Sequence, residues 1–362
     1  MKFAIACGGT GGHLFPGLAV AEVLRARGHE VLLFISEKEV DSRALQNHPD
    51  LPRQKLPSIG LPAVFSPALI AFLGRLRASL KKCGQIYRDG RPDAVLGMGG
   101  FTSIAPLIAA WRRGIPAFLH ESNAIPGKAN RLAARFCRTV LLGFGECARH
   151  FPKCPTLVTG TPIRRELTED VPGVREARRK LGLDADRPTL LVMGGSQGAA
   201  GINVLMTRAA PRLAARELQV IHLAGARDED VVRSAYEAAG VPAAVLPFCD
   251  RMQDVYPAAD FALSRSGAAS LGELSWFGLP SVLVPYPHAA EDHQTLNAQI
   301  FVRAGAARVL PEKGATGEGL ARALAELLDS PATLAEMSAA ASVLIPRDAA
   351  ARVADALMEV RR

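Results

Sequence analysis

Cysteine is sparse and unpatterned in this chain. The six cysteines (Cys7, Cys83, Cys137, Cys147, Cys154 and Cys249) include no C-x-x-C pair. That spacing offers neither a zinc cage nor a disulfide framework, and a reducing compartment is expected. No signal peptide is expected, because Met1 to Cys7 reads directly as a buried strand. There is no low-complexity run, and no apolar stretch near the roughly 20 residues needed to span a bilayer. What remains is a composition ordinary for a soluble globular protein, with 49% apolar and 22% charged residues. At 362 residues the chain is too long for one typical core and suits two domains.

The net charge of +8 matters less than its distribution. Between Leu61 and Gly90 there are five basic residues and one acidic one, interleaved with apolar side chains. The aromatic interleaving of a base-stacking surface is absent, which disfavours nucleic acid. An anionic membrane surface fits better.

What is present is one pattern, twice. KFAIACGGTGGH, ending at His13, and TLLVMGGSQG, ending at Gly198, each run a short apolar strand into a glycine-rich turn that opens a helix. Such a turn exposes backbone N–H groups and the positive end of the helix dipole, which suits a phosphate. Around these turns strand and helix patterns alternate. Lys2–Cys7, Glu30–Ile35, AVLGMGG, PAFLHE and TVLLG read as strands in the first half, with helices over Pro16–Arg27, ALIAFLGRLRASLKK and SIAPLIAAWRRG. TLLVM, QVIHLAG, AAVLPF, DFALS, SVLVPYP and AARVLP follow in the second. The fold class is α/β, two parallel-sheet domains wrapped by helices, with ligand expected at the carboxyl ends of the strands. The turn-rich, charged stretch Thr159–Arg187 marks the linker, and a tail helix from about Ile345 could cap either domain.

Dinucleotide and P-loop chemistry are excluded by their fingerprints. Gly9-Thr10-Gly11 is followed by Leu14, and Gly97-Met98-Gly99 by Thr102, where G-x-G-x-x-G needs glycine; Gly194-Gly195-Ser196 lacks the middle glycine. Glu37 or Glu39 as a ribose-binding acid is a chance-level feature, and Gly127-Lys128 is followed by Ala129. His13, at a helix start, is disfavoured as imidazolium and so can accept a proton. In HESNAIPGKAN, Glu121 and Asn123 either bind sugar hydroxyls or an acetamido group, or cap the helix near Gly127. In SRSGAASLGE, the N–H groups of Ala268 and Ala269 are open to a ligand oxygen. Glu273 there is either a ribose-diol acceptor or an ordinary early-helix acid. Glu291, Asp292, His293 and Gln294 have a metal-like composition without zinc spacing, and Asp184-Ala185-Asp186 reads as a turn.

In order along the chain, GGTGGH, GMGGF, HESNAIPG, GTPIR, GGSQG, RSGAASLGE and DHQTLNA resemble the MurG family of glycosyltransferases. Members of that family add N-acetylglucosamine to lipid I to make lipid II for peptidoglycan, on which cell shape and division depend. The resemblance implies a GT-B fold of two Rossmann-like domains facing a central cleft. It implies an acceptor and membrane domain over 1–162, a donor domain over 163–344, and a terminal helix, about 345–362, returning to the first. Carried over, Thr10, Gly11 and Gly12 match the family's glycine loop near the donor sugar and acceptor diphosphate. Asn123, Arg164 and Ser196 match donor-binding positions, and Cys249 stands where backbone reads the uracil. Ala268, Ala269, Ser270, Leu271, Gly272 and Glu273 correspond to the stretch holding sugar, diphosphate and ribose, with Glu273 on the ribose. Gln294 matches the glutamine that reads the sugar's hydroxyls. The implied reaction is inverting, with UDP-GlcNAc as donor, lipid I as acceptor, and either His13 or Glu121 as catalytic base. No cofactor is required and no metal site is implied; a divalent ion is at most a stimulant.

A lipid acceptor gives the basic, apolar stretch a purpose. Leu69, Phe72, Leu73, Leu76 and Leu80 form one stripe on a helix, flanked by Arg75, Arg77, Lys81 and Lys82, with Trp111, Arg112 and Arg113 as an extension. The expectation is peripheral attachment to anionic lipids on the cytoplasmic face of the inner membrane. The alternative is a core-facing helix.

Overall fold

Runs rich in Val, Leu and Ala, buried on both faces, belong in parallel sheets covered by helices. The computed structural model describes residues 1–38, 41, 45, 48–57, 68–195 and 198–361. In it these runs form two compact units, Met1–Arg165 with Pro346–Arg362, and Glu166–Ile345. Ser196 and Glu39, singled out above, lie outside the described residues.

The first unit has strands β1 (Lys2–Ala6), β2 (Glu30–Ser36), β3 (Arg53–Leu56), β4 (Ala94–Gly97), β5 (Ala117–Glu121), β6 (Thr139–Leu142) and β7 (Thr156–Val158). They pair in parallel in the order β3-β2-β1-β4-β5-β6-β7. The order reverses between β1 and β4, so a crevice opens at their carboxyl ends. Helix α1 (Gly11–Ala26) starts before Pro16, where the sequence pattern suggested its first turn. The N–H groups of His13 and Leu14 already bond the Thr10 carbonyl, and the proline ring removes only the bond its own nitrogen would have made.

Helix α2 (Ala68–Asp89) settles which face of the apolar stripe is free. Phe72 is buried, edge-on to Phe101 of α3 (Gly100–Trp111) with ring centroids 5.9 Å apart. Leu76 and Leu80 pack on the core beside Cys83 and Tyr87. The expected lipid-facing stripe is therefore corrected: its middle faces inward, as the spacing i, i+4, i+8 of a core-facing helix allows. The exposed apolar side chains are Ile70 (78%) and Leu73 (53%), with Arg75, Arg77, Lys81 and Lys82 also exposed. Trp111, 55% exposed, stands at the far end of α3. The two helices meet at Phe72–Phe101 and again where Arg113 donates to the Gly84 carbonyl at 2.6 Å. These meeting points are about 18 Å apart along α2. Arg113 is thus a clasp between helices, and Trp111 does not extend the Ile70–Leu73 patch. Among the described residues no helix is long and apolar enough to cross a membrane.

The second unit repeats the plan with β8 (Thr189–Met193), β9 (Gln219–Leu223), β10 (Ala243–Leu246), β11 (Phe261–Ser264), β12 (Ser281–Leu283) and β13 (Ala307–Val309). All pairs are parallel, in the order β10-β9-β8-β11-β12-β13, with the reversal between β8 and β11. Helix α5 (Ala200–Leu213) follows β8, α6 (Ala268–Trp276) follows β11, and α7 (His293–Arg303) follows β12; α4 (Lys128–Ala133) is the short helix after β5 in the first unit.

Between the sheets, the unit boundary falls after Arg165, so Arg164 lies in the first unit. The rest of the expected linker is ordered on the second unit through Arg178. Its guanidinium donates to the Ala258 carbonyl at 2.9 Å and to Asp260 at 2.7 Å. Asp184-Ala185-Asp186 is a turn, in which Asp184 Oδ1 accepts from the N–H groups of Asp186 and Arg187. The chain re-enters the first unit at Pro346, which packs so closely on Gly160 that a Cβ there would lie 2.8 Å from the proline ring. Helix α8 (Ala349–Met358) then buries Val353, Ala354, Ala356 and Leu357 in the core that contains Phe3, Leu18 and Leu24.

Candidate functional site

The first glycine turn is held from below by a side chain that sequence reasoning missed. Asp41 is fully buried, and its Oδ2 accepts from Gly9 N (2.9 Å), Ser36 N (2.9 Å) and Ser36 Oγ (2.5 Å). The turn lies so close to β2 that a Cβ on Gly8 would sit 2.2 Å from Ser36 N. Lys38 reaches over the same turn and donates to the Gly9 carbonyl at 2.9 Å. An acid at the end of a second strand was the available signal; the spacing argument had weighed Glu37 and Glu39 instead.

This bracing fixes Thr10 to His13. The Thr10 hydroxyl is 3.1 Å from His13 Nδ1. The ring of His13 lies over the Gly99–Gly100 pair of GMGGF. Cβ atoms built there would come within 3.1 Å of His13 Nε2 and Cε1, and both glycines have positive φ. Two motifs far apart in sequence therefore share one purpose, making room for an imidazole at the switch between β1 and β4. Desolvation lowers the His13 pKa to about 4, reinforced by the Lys38 cation and opposed by Asp41. The ring is neutral at pH 7.

Glu121, at the end of β5, is buried and saturated. Oε1 accepts from Asn123 N (2.9 Å) and Asn123 Nδ2 (3.0 Å); Oε2 accepts from Asn130 Nδ2 (2.7 Å) and Gly127 N (3.3 Å). Burial raises its pKa while these bonds pull it down. Asn130 also accepts from Gly100 N at 3.2 Å, so the carboxylate is tied to the shelf under His13. Of the two readings of HESN, the structure shows the organising one: Glu121 holds the loop and the α4 start, and orients Asn123. His120 is a structural neighbour. Its Nε2 donates to the Gly160 carbonyl at 2.9 Å, leaving Nδ1 to accept from Ser122 Oγ at 3.2 Å. Burial lowers its pKa to about 4. Arg164 stacks its guanidinium 4.1 Å over the Phe15 ring, on α1 just beyond His13.

In the second unit the loops after β8, β11 and β12 come together. Gly198 has φ +73° and abuts the Ala224 carbonyl, so no side chain fits there. Helix α5 then begins with no side-chain cap. Its start is not wholly cationic, because Glu312 lies against Gly201 and is ion-paired with buried Arg265. Arg265 also donates to the Val284 carbonyl at 3.1 Å, joining the β11 and β12 loops. Gln294 joins them again, its Oε1 accepting from Tyr286 N (2.9 Å) and Ser266 N (3.3 Å). Helix α6 also lacks a side-chain cap, which leaves early N–H groups of the Ala268–Gly272 stretch open. Glu273 accepts from Tyr256 Oη at 2.5 Å. Cys249, partly exposed after β10, has its thiol pushed up by burial.

Comparison with known proteins decides among chemistries. The N-terminal-domain model of glycosyltransferase family 28 matches residues 3–142, and its C-terminal-domain model matches residues 189–356. A relative from Geobacter sulfurreducens is 40% identical over all of this chain and 99% of its own length. Its name is UDP-N-acetylglucosamine–N-acetylmuramyl-(pentapeptide) pyrophosphoryl-undecaprenol N-acetylglucosamine transferase. The chain belongs to glycosyltransferase family 28, among its MurG members. A family member of the same name from Acidothermus cellulolyticus is 41% identical, covering 98% of this chain and 96% of that one. Among solved structures, MurG of Acinetobacter baumannii matches with a TM-score of 0.77 at 28% identity over 99% of both chains. A protein from Listeria monocytogenes described as a UDP-N-acetylglucosamine 2-epimerase matches with a TM-score of 0.72 at 15% identity, covering 99% of this chain and 96% of that one, which shows the fold alone. The architecture is thus that of the GT-B glycosyltransferases.

Proposed function

We infer that this protein transfers N-acetylglucosamine from UDP-GlcNAc to the muramyl sugar of lipid I, giving lipid II. The observation that carries the reading is full-length identity of 40% to a relative named for that transfer, combined with a neutral histidine on the first glycine turn. The muramyl 4-hydroxyl attacks C1 of the donor, its proton passes to His13, and UDP departs with inversion. Thr10, 3.1 Å from Nδ1, orients the ring so that Nε2 is the basic atom. Glu121 acts on this reading by holding Asn123 and Asn130, since both its oxygens already accept two hydrogen bonds.

The donor is assigned to the second unit. The uncapped starts of α5 and α6 present N–H groups to its diphosphate, Glu273 accepts from the ribose, Gln294 Nε2 meets the sugar, and backbone beside Cys249 reads the base. Arg164, its plane stacked on Phe15, is proposed to bind a phosphate oxygen. We assign no metal to the step, so turnover is expected to survive EDTA. Ile70, Leu73 and the exposed basic residues of α2 are proposed to meet anionic lipid on the cytoplasmic face of the membrane.

One assay tests the whole reading: UDP release from UDP-GlcNAc, with and without a lipid I analogue. Release dependent on the acceptor, with a disaccharide product, is expected. Acceptor-independent UDP release with epimerised sugar would overturn it.

A further inference from the structure

Tyr256 touches Glu273 of α6 and Phe277 just past its end, one turn apart. Its ring stacks on Phe277, centroids 5.0 Å apart with planes at 17°, and its hydroxyl donates to Glu273 Oε2 at 2.5 Å. The residue is fully buried, whereas Glu273 is half-buried. It sits in a segment that cannot drift, because Arg178 pins the Ala258 carbonyl and Asp260, and Asp260 in turn accepts from Thr189 N of β8 at 2.7 Å. The phenol is thus a fixed donor aimed at a carboxylate on the helix whose N-terminus faces the proposed donor site.

We propose that Tyr256 is a positioning residue that sets the Glu273 carboxylate for a vicinal diol, and so makes the second unit select a ribonucleoside over a 2′-deoxyribonucleoside diphosphate. This rests on the reading that Glu273 accepts from the ribose. A glutamate free to rotate can meet one hydroxyl; meeting two requires the carboxylate plane to be fixed. The hydrogen bond from Tyr256 to Oε2 fixes the plane in which the carboxylate meets a diol. The stack on Phe277, one turn on from Glu273, keeps the phenol in place when no nucleotide is bound.

The test is titration calorimetry of the full chain with UDP and with 2′-deoxy-UDP, alongside kcat and KM for UDP-GlcNAc. Wild type is expected to prefer UDP, and Glu273→Gln to lose the preference. Tyr256→Phe keeps the ring stack and removes only the hydroxyl. It is expected to shrink the UDP preference about tenfold and raise KM with kcat nearly unchanged. A Tyr256→Phe protein that keeps the wild-type preference, or that binds both nucleotides more weakly by the same factor, overturns the proposal. Equal binding of the two nucleotides by wild type would instead overturn the ribose role of Glu273 itself.

Discussion

Replacing Asp41 by alanine tests how the first glycine turn is held. The carboxylate takes hydrogen bonds from two backbone N–H groups, Gly9 and Ser36, and from the Ser36 hydroxyl. The hydroxyl can turn to another partner; the two N–H groups cannot. A buried donor left unsatisfied costs about 1–3 kcal/mol, so the loss is about 4 kcal/mol. For a unit of this size that lowers the melting temperature by about 8–16 °C. Asp41→Asn keeps one acceptor and is expected to cost about 1–2 kcal/mol. Because Gly9 precedes Thr10 and His13, kcat/KM with a lipid I analogue is expected to fall about 100-fold in the alanine variant. Affinity for UDP, assigned to the second unit, is expected to hold. Scanning calorimetry and steady-state kinetics on both variants read these quantities. An alanine variant that melts within about 2 °C of wild type refutes the hydrogen-bond argument.

His13→Ala is expected to lower kcat by about 10²–10⁴ while leaving the melting temperature unchanged, measured by UDP release; near-normal turnover removes it as the base. Gly100→Ala drives a methyl toward His13 Cε1 from a backbone with φ +69°, and is expected to cost activity as well as about 1–3 kcal/mol of stability on urea unfolding. Stability should also respond to acid. The pKa values of buried His120 and His222 are lowered to about 4 and about 3, so the unfolded chain binds protons that the folded one refuses. Stability therefore rises with pH through this window and is lost as pH falls from about 6.5 toward 4, by about 3 kcal/mol per histidine. Urea midpoints that do not change between pH 7 and 4.5 would contradict this. Ile70→Ser with Leu73→Ser is expected to weaken binding to anionic vesicles without loss of stability, whereas Phe72→Ala is expected to destabilise the fold by about 2–4 kcal/mol.

Eleven of the strands were legible as short apolar runs, most of them buried on both faces, as in AVLG of β4 and TLLVM of β8. The two missed are edges of the first sheet: β3, RQKL, is mostly polar, and β7, TLV, is three residues long and largely exposed. The functional loops were legible from glycine spacing and side-chain type. What supports them was not, because support depends on contacts distant in sequence. Asp41 meets Gly9 across 32 residues, and Arg265 meets Glu312 across a longer gap. The inward turn of Phe72 was hidden for a related reason. A helix with apolar residues on more than one face has no unique buried side until its partner, here Phe101, is known.

The route of the chain through its two units also orders its synthesis. The seventh strand of the first sheet is complete at Val158, yet the core beneath β1 still lacks Val353, Ala354, Ala356 and Leu357. Those residues are translated only after the whole of the second unit. At about 5–20 residues per second, the gap amounts to roughly 10–40 seconds during which Leu18 and Leu24 lack their cover. The second unit, contiguous from Glu166 to Ile345, has no such wait. The half of the protein encoded first is therefore the half that finishes folding last.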